Sequence, residues 1–147
     1  KYIGDNKFGY REGHGIETMP DGEKYVGGFK NDKKHGKGIW TFADGAKFEG
    51  SFDSEKGILI AQAGVLLEDI ISLVLPQGWF LKVVPGTKKI TVGGAIASDI
   101  HGKNHHLDGC FSEGVNSFKL LMPNDQIINC SRTENHRKTL PPQAALY

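Results

Sequence analysis

The sequence predicts an α+β fold in which an array of β-hairpin repeats, over residues 1–52, is followed by an α/β segment over residues 58–135. Two observations support this prediction. In the first third of the 147-residue chain a pattern of aromatic residues and glycines recurs every 23 residues. After Gly57 this pattern gives way to longer apolar runs. Residues 53–57 form the predicted junction, and residues 136–147 are a polar, proline-containing tail without assignment.

The bulk composition is typical of a globular protein. The formal net charge of +1 disfavours a dedicated nucleic-acid binder, so no nucleic-acid partner is expected. The longest apolar run, residues 57–84, is interrupted by charged and amide side chains, which excludes an ordinary membrane span. Cys110 and Cys130 form no CxxC pair and are expected to be free thiols in a reducing compartment. We therefore expect a cytoplasmic location.

The repeat is in strict register. Tyr2 recurs as Tyr25 and then as Phe48, and Asp21-Gly22 recurs as Asp44-Gly45. Asp-Gly pairs favour tight hairpin turns, because glycine accepts the positive φ that these turns require. One hairpin is too small to bury its own aromatic face, so stacked hairpins must form the core together. The predicted core residues are Tyr2, Tyr25, Phe29, Trp40, Phe42, Phe48 and Phe52.

This half of the chain resembles the MORN repeat, whose pattern is YxG, then GxG, then DG before the next YxG. The resemblance implies a scaffold or a membrane-associated module with a protein or lipid partner. A stacking unit without a ligand is the alternative. The first unit departs from the second, since Asp5-Asn6 stand where the second has Gly28-Phe29, so one aromatic residue is lost.

The second half is predicted to begin with a β-α-β unit. The run GILIAQAG, from Gly57, predicts a buried strand, and residues 66–75 predict a helix with one apolar face. Two acidic residues in the first turn and Pro76 near the end fit the limits of this helix. The run WFLKVVPG, ending at Gly86, predicts a second strand. Further on, two apolar runs flank Pro123-Asn124-Asp125, which predicts a hairpin.

The segment TVGGAIASDIHGKNHH, residues 91–106, carries the candidate site. The apolar run KITV ends in Gly93-Gly94, and AIASDI is predicted to begin a short helix that Gly102 ends. This order would bring free backbone N–H groups and a positive helix end together, which favours binding of an anion. A Gly-Gly pair is nevertheless more often only a turn.

A metal site is the alternative for the same segment. His101 and His105 have the i, i+4 spacing of zinc ligands on a helix, and His106 is adjacent. Gly102 and the Lys-Asn pair between the first two histidines disfavour that helix, and neither cysteine lies at a familiar ligand spacing. We therefore expect no metal.

The string GILIAQAGVLLEDII…GWFLKVVPGTKKITVGGAIASDIHGKNHHLDGCF resembles the FAD-binding domain of flavoproteins of the vanillyl-alcohol-oxidase (PCMH) type. Within that family it is most similar to the decaprenylphosphoryl-ribose 2-oxidase group. The resemblance covers about residues 57–135 and implies FAD as the cofactor. It also implies an oxidoreductase that oxidises a sugar CH–OH group to a ketone with hydride transfer to the flavin.

The resemblance also implies positions for individual residues. Those against the FAD diphosphate and ribityl chain would be Gly86, Thr91, Val92, Gly93 and Gly94. Those that continue toward the isoalloxazine would be Ser98, Asp99, Ile100 and His101. Nearer the substrate would be Lys103 and Asn104. The ring of His101 is expected to hold the loop, with covalent attachment of flavin as the alternative.

The sequence departs from the flavoprotein family on both sides of this string. MORN-like sequence stands where the family has an earlier β-α segment with a glycine- and arginine-containing loop, and HRKTLPPQAALY follows Asn135. We therefore expect a partial FAD-binding domain that binds FAD weakly, carries no identified catalytic base and does not turn over a sugar substrate alone. A MORN-repeat scaffold with an inactive α/β passenger segment is the alternative function.

Overall fold

The computed structural model describes residues 1–132 and the backbone of residues 145–146. The chain is built mostly of antiparallel strands with few helices. It divides into two compact units. The repeat unit comprises Lys1–Gln62 and Ile71–Trp79, and the second unit comprises Ala63–Ile70 and Phe80–Tyr147.

The repeat unit contains a six-stranded antiparallel sheet in which every strand pairs with its neighbours in sequence. The strands are β1 Tyr2–Lys7, β2 Tyr10–Thr18, β3 Lys24–Lys30, β4 Lys33–Thr41, β5 Lys47–Asp53 and β6 Ile58–Ile60. Both Asp-Gly pairs lie between strands, and Gly22 and Gly45 have φ of +92° and +86°. The predicted array of hairpins is therefore confirmed, and its turns have the predicted cause.

The aromatic residues lie on one face of this sheet. Tyr25 pairs with Trp40, and Trp40 pairs with Phe48, so the three rings form a row across three strands. Trp40 is 1% exposed. The ring centroids of Tyr2 and Phe29 are 5.0 Å apart in an edge-to-face arrangement, which links the first repeat to the second. Tyr2 is only half-buried, because β1 has a neighbouring strand on one side alone.

The repeat glycines allow the strands and rings to approach closely. A Cβ atom on Gly27 would lie 2.6 Å from the Cα atom of Gly38. A Cβ atom on Gly38 would lie 2.5 Å from ring atoms of Tyr25. The tyrosine of each repeat therefore covers backbone that must lack side chains, which explains why tyrosine and glycine recur together.

A charged cluster built around buried Lys34 packs against the aromatic row. Lys34 is 8% exposed. Its Nζ lies 2.6 Å from the Glu17 carboxylate and 4.5 Å from the centre of the Trp40 ring. Arg11, which is one repeat before Lys34, also pairs with Glu17. Burial by itself would raise the pKa of Glu17, but the hydrogen bonds and positive charges of Lys34 and Arg11 hold that pKa below its ordinary value. Burial also raises the pKa of Tyr25 to about 12.

Helix α1 spans Leu67–Val74, close to the predicted residues 66–75. Ile70 and Val74 are each 4% exposed, so its apolar face is buried as predicted. A 3₁₀ turn follows and ends at Gly78, whose φ of +83° is left-handed. The chain passes from one compact unit to the other within this helix.

The predicted β-α-β unit is wrong. Its first strand is shortened to the three residues of β6, and residues 79–86 contain no strand. The backbone that was expected to pair is used otherwise. The carbonyl oxygen of Lys82 accepts a hydrogen bond from the side chain of Asn104, and the carbonyl of Val84 lies against Gly102. These contacts replace a sheet ladder.

After Phe80, the described residues of the second unit form two short helices, α2 Val92–Ala97 and α3 His105–Asp108, and a 3₁₀ turn at Phe111–Gly114. Its sheet has the order β8-β7-β9, with β7 Ser117–Leu121, β8 Ile127–Ser131 and β9 Ala145–Leu146. The hairpin predicted at Pro123-Asn124-Asp125 is confirmed, and Asp125 there has a φ of +60°. The predicted tail, apart from the backbone of β9, lies outside the described residues. Within the described part of the chain no helix is long and apolar enough to cross a bilayer.

Candidate cofactor-binding segment

Helix α2 begins one residue earlier than the two glycines and contains both of them. Thr91 is its N-cap, with an extended backbone and a side chain that accepts from the third helical residue. The helix has six residues and ends at Ala97, so the prediction that it continues to Gly102 is wrong. The cause is Asp99, whose φ of +41° turns the backbone away from a right-handed helix.

The N–H groups at the start of α2 already have acceptors within the chain. Those of Val92 and Gly93 donate to the carbonyl oxygens of Val65 and Ala63, at 2.8 Å each. That of Gly94 donates to the N-cap hydroxyl at 3.1 Å. The prediction of free N–H groups at this place is therefore wrong. The backbone that precedes α1 runs beside the glycine segment and uses the donors that a helix start otherwise leaves open.

Two glycines of the segment nevertheless leave open space. A Cβ atom on Gly86 would meet nothing within 4 Å, and one on exposed Gly94 would meet only the N-cap hydroxyl, at 3.2 Å. Gly102 is different, since a Cβ atom there would lie 2.6 Å from the amide oxygen of Asn104 and 2.8 Å from the carbonyl oxygen of Val84. Gly86 and Gly94 thus permit a ligand to lie on the backbone, whereas Gly102 permits close packing within the protein.

Asp99 and Ile100 hold the loop that follows α2. The Asp99 carboxylate accepts from the N–H of Ser112 at 2.9 Å. The N–H of Phe111 donates to the carbonyl oxygen of Ile100 at 2.8 Å. Both contacts fix the 3₁₀ turn against the end of α2. Sequence reasoning missed this role, because the two partners lie more than ten residues apart and share no local pattern.

The three histidines lie near one another but are arranged as ring contacts. His101 is exposed, its ring centroid lies 5.2 Å from that of His105, and the centroids of His105 and His106 are 6.0 Å apart. The Nδ1 atom of His105 is 3.3 Å from the carbonyl oxygen of Gly102. In residues 1–132 no group of three or more His, Cys, Asp or Glu side chains is placed to hold a metal ion.

Asn104 belongs to a small polar network beyond the histidines. Its amide nitrogen donates to the carbonyl oxygen of Lys82 at 3.0 Å and to the carboxylate of Asp108 at 2.6 Å. The Lys82 ammonium lies 3.7 Å from the same carboxylate. Lys103, beside Asn104, is exposed. The amide of Asn104 is therefore held by the protein itself, while the Lys103 side chain is open to solvent.

This geometry fits part of the role that the resemblance implies. The open backbone at Gly86 and Gly94, with exposed Ser98 and His101 further along, fits an elongated cofactor such as FAD lying along the segment. The helix N–H groups do not fit a role as phosphate donors, because each is already bonded. The surfaces of this segment that remain open to a cofactor are therefore the backbone of Gly86 and Gly94 and the exposed side chains.

Comparison with known families gives two matches. The FAD binding domain family matches residues 41–131, and the MORN repeat matches residues 2–24 and 25–47. The two matches overlap at residues 41–47.

Comparison with curated proteins gives relatives that are much longer than this chain. Decaprenylphosphoryl-beta-D-ribose oxidase of Mycolicibacterium smegmatis is 49% identical over 65 residues, which are 44% of this chain and 14% of that protein. An uncharacterised protein of Streptomyces coelicolor is 47% identical over 57 residues, 39% of this chain and 16% of its own length. D-lactate dehydrogenase of Anaerostipes hadrus is 30% identical over 79 residues, 54% of this chain and 17% of that protein. The chain thus spans 14–17% of the length of these relatives.

Proposed function

Since the chain belongs to the FAD binding domain family and carries MORN repeats before it, we propose that it supplies part of the FAD site of an oxidoreductase. The proposed reaction oxidises a sugar CH–OH group to a ketone while a hydride passes to the flavin. The family match over residues 41–131 is the observation that carries this proposal. The proposal includes an α+β fold, in which the repeat array is followed by part of an α/β FAD-binding domain.

The names of two relatives support an alcohol as the substrate class. One is called an oxidase of a ribose derivative and the other a dehydrogenase of lactate. Ribose and lactate both contain a CH–OH carbon that can lose a hydride. The closer identity to the ribose oxidase favours a sugar for this chain.

The proposed cofactor-binding residues form two groups. One group faces the cofactor, and the other holds the backbone that carries the first group. Gly86 and Gly94 offer open backbone, and Ser98 and His101 offer exposed side chains. The residues that set the path of the backbone between them are Thr91, Val92, Gly93, Asp99 and Ile100. On the substrate side, Lys103 is free to reach a ligand and Asn104 holds the adjacent loop.

The flavin supplies the hydride acceptor, and the protein supplies binding and orientation. The segment described above provides one side of such a site. Because the segment provides only one side of the site, we expect this chain alone to bind FAD weakly. We expect no turnover of a sugar, since no catalytic base is identified in the segment. A protein or lipid partner for the MORN repeats is a further part of the proposal.

Titration with FAD, followed by quenching of flavin fluorescence, tests the cofactor proposal. Replacing Gly94 with valine is expected to weaken binding at least tenfold, because the side chain would project into the space in front of the helix. Gly114→Val is the matched control, since a Cβ atom there meets nothing within 4 Å and Gly114 lies outside the segment. His105→Ala should leave the affinity unchanged. Circular dichroism confirms that each variant is folded.

Two results would overturn the proposal in different ways. Equal FAD affinity in the wild type and Gly94→Val would remove this segment from the site. A wild-type chain that binds no FAD at millimolar concentration, while it remains folded, would favour the alternative function, a MORN-repeat scaffold with an inactive passenger segment.

A further inference from the structure

The face of the repeat sheet opposite the aromatic core carries a row of aliphatic side chains across four strands. The strand register pairs Ile3 with Ile16, Ile16 with Val26, and Val26 with Ile39. Ile3 is 60% exposed and Ile39 is 42% exposed, and the two between them are half-buried. The row ends at Glu49, the register partner of Ile39 on β5. This aliphatic row is one residue wide, and both of its ends are open to solvent.

A second row on the same face, two residues along each strand from the aliphatic row, is cationic. Its members are Lys1, Lys24 and Lys47, which are 23 residues apart like the other repeat positions. Thr18 pairs with Lys24 and Thr41 pairs with both Lys24 and Lys47, so the lysines alternate with threonines across the sheet. All three lysines are exposed. None of them forms an ion pair with another residue of 1–132.

The spacing of the two rows defines the partner that would fit them. Neighbouring strands are about 4.8 Å apart, so the lysines on alternate strands repeat about every 10 Å and the aliphatic residues about every 5 Å. In an α-helix seven residues rise about 10.5 Å, and steps of three and four residues rise about 4.5 and 6 Å. A helix that crosses the strands can therefore match both rows, with one carboxylate and two aliphatic residues in every seven.

We propose that this face of the repeat unit binds an amphipathic, acidic α-helix of another protein. The helix would carry aliphatic residues at i and i+3 or i+4 in each seven and a Glu or Asp beside them at every seventh position. The three lysines span about 20 Å across five strands, which corresponds to about 14 helical residues. Polar positions flank the aliphatic row on both sides, for example Lys37 opposite the lysine row. An aliphatic row one residue wide suits a linear partner, such as a helix, better than a partner with a broad apolar surface.

The inference is independent of the flavin proposal, because it uses only the repeat sheet. Its geometry also explains the repeat positions that the core leaves unexplained. The core requires the tyrosine and the glycines of YxG, but not a lysine before the tyrosine or an aliphatic residue after it. The lysine position builds the cationic row. Ile3 and Val26 supply half of the aliphatic row, and Ile16 and Ile39, each directly after GxG, supply the other half.

Binding of a designed helix to the whole 147-residue chain tests the proposal. The probe is a set of 21-residue peptides with leucine at the two aliphatic positions, glutamate at the flanking heptad position and varied neutral residues elsewhere, with affinity measured by fluorescence anisotropy at low salt. Peptides with lysine in place of glutamate are the matched probes. The double variant Lys24→Glu, Lys47→Glu is expected to weaken binding at least tenfold. Lys33→Glu, Lys56→Glu, equal in charge change but away from the row, should retain the affinity of the wild type.

Each other outcome would overturn the proposal. If no peptide of the set binds, or if both double variants bind equally well, the lysine row does not recognise an acidic helix. Vesicles of phosphatidylserine and phosphatidylcholine form a separate arm. Binding to these vesicles without binding to the peptides would assign the face to a lipid surface instead.

Discussion

Glu17 and Lys34 allow the energetics of the repeat unit to be tested directly. Replacing Glu17 with glutamine removes the carboxylate that lies 2.6 Å from the Lys34 ammonium and leaves that ammonium buried. Breaking a buried ion pair by removing one partner costs about 3–5 kcal/mol. We expect about 3 kcal/mol, the lower end, because 19% of the Glu17 side chain is exposed and Lys34 keeps its contact with the Trp40 ring.

The second half of the experiment is the replacement of Lys34 with methionine, which has a similar length and no charge. We expect a loss of about 1–2 kcal/mol, mainly the ammonium–indole interaction, since Glu17 keeps Arg11 as a partner. In the double variant no buried ammonium is left without its carboxylate. Its destabilisation should therefore fall short of the sum of the single changes by about 1–2 kcal/mol.

Urea unfolding in a Trp79→Phe background measures these values, because the chain has two tryptophans and the emission then reports on Trp40 alone. Additivity within about 0.5 kcal/mol would refute the claim that the two side chains are coupled.

The pH dependence of the stability gives a second check. The pKa of Glu17 is lowered in the folded protein, so its contribution is complete above its ordinary value and is lost as the pH falls through the lowered one. Below pH 5 the wild type should lose more stability than Glu17→Gln.

Three further changes test the core, the repeat glycines and the loop. Trp40→Ala should cost about 3–5 kcal/mol in urea unfolding, and iodide should quench Trp79, which is 36% exposed, but not Trp40 in the native protein. Gly27→Ala should destabilise by more than 1 kcal/mol, since its Cβ would lie 2.6 Å from the Cα atom of Gly38, and unchanged unfolding would contradict that close approach. Asp99→Ala should cost about 1–2 kcal/mol and speed amide exchange at Ser112, because its carboxylate accepts from that N–H.

Regular patterns in the sequence predict the repeat unit well, because the spacing of 23 residues fixes both the turns and the face of each aromatic residue. The row from Tyr25 to Phe48 and the burial of Trp40 follow from it. The aromatic pattern does not predict the role of Glu17, which holds in the first repeat the position that Trp40 holds in the second. A carboxylate at an aromatic position indicates a buried cation nearby, and here Lys34 supplies it.

The second unit is predicted less well because its contacts are not local. The run WFLKVVPG has the composition of a strand, but in the described part of the chain it pairs with no other strand, and the side chain of Asn104 binds its backbone instead. The glycine segment was expected to expose helix N–H groups. The acceptors that use them, the carbonyl groups of Ala63 and Val65, lie 30 and 27 residues before their donors, and no pattern within the segment indicates them. The hairpin at Pro123-Asn124-Asp125 was predictable because its turn residues are contiguous.

Strand β5 lies within the FAD-binding match and begins at Lys47, the last residue of the second MORN match. One edge of β5 pairs with β4 of the second repeat, and the other edge pairs with β6, which lies within the FAD-binding match. Without the repeats, the N–H and C=O groups of β5 on the β4 side would be unpaired, and an open strand edge recruits other chains and promotes aggregation. The second MORN repeat therefore covers an edge of β5 that would otherwise be open to pairing with another chain.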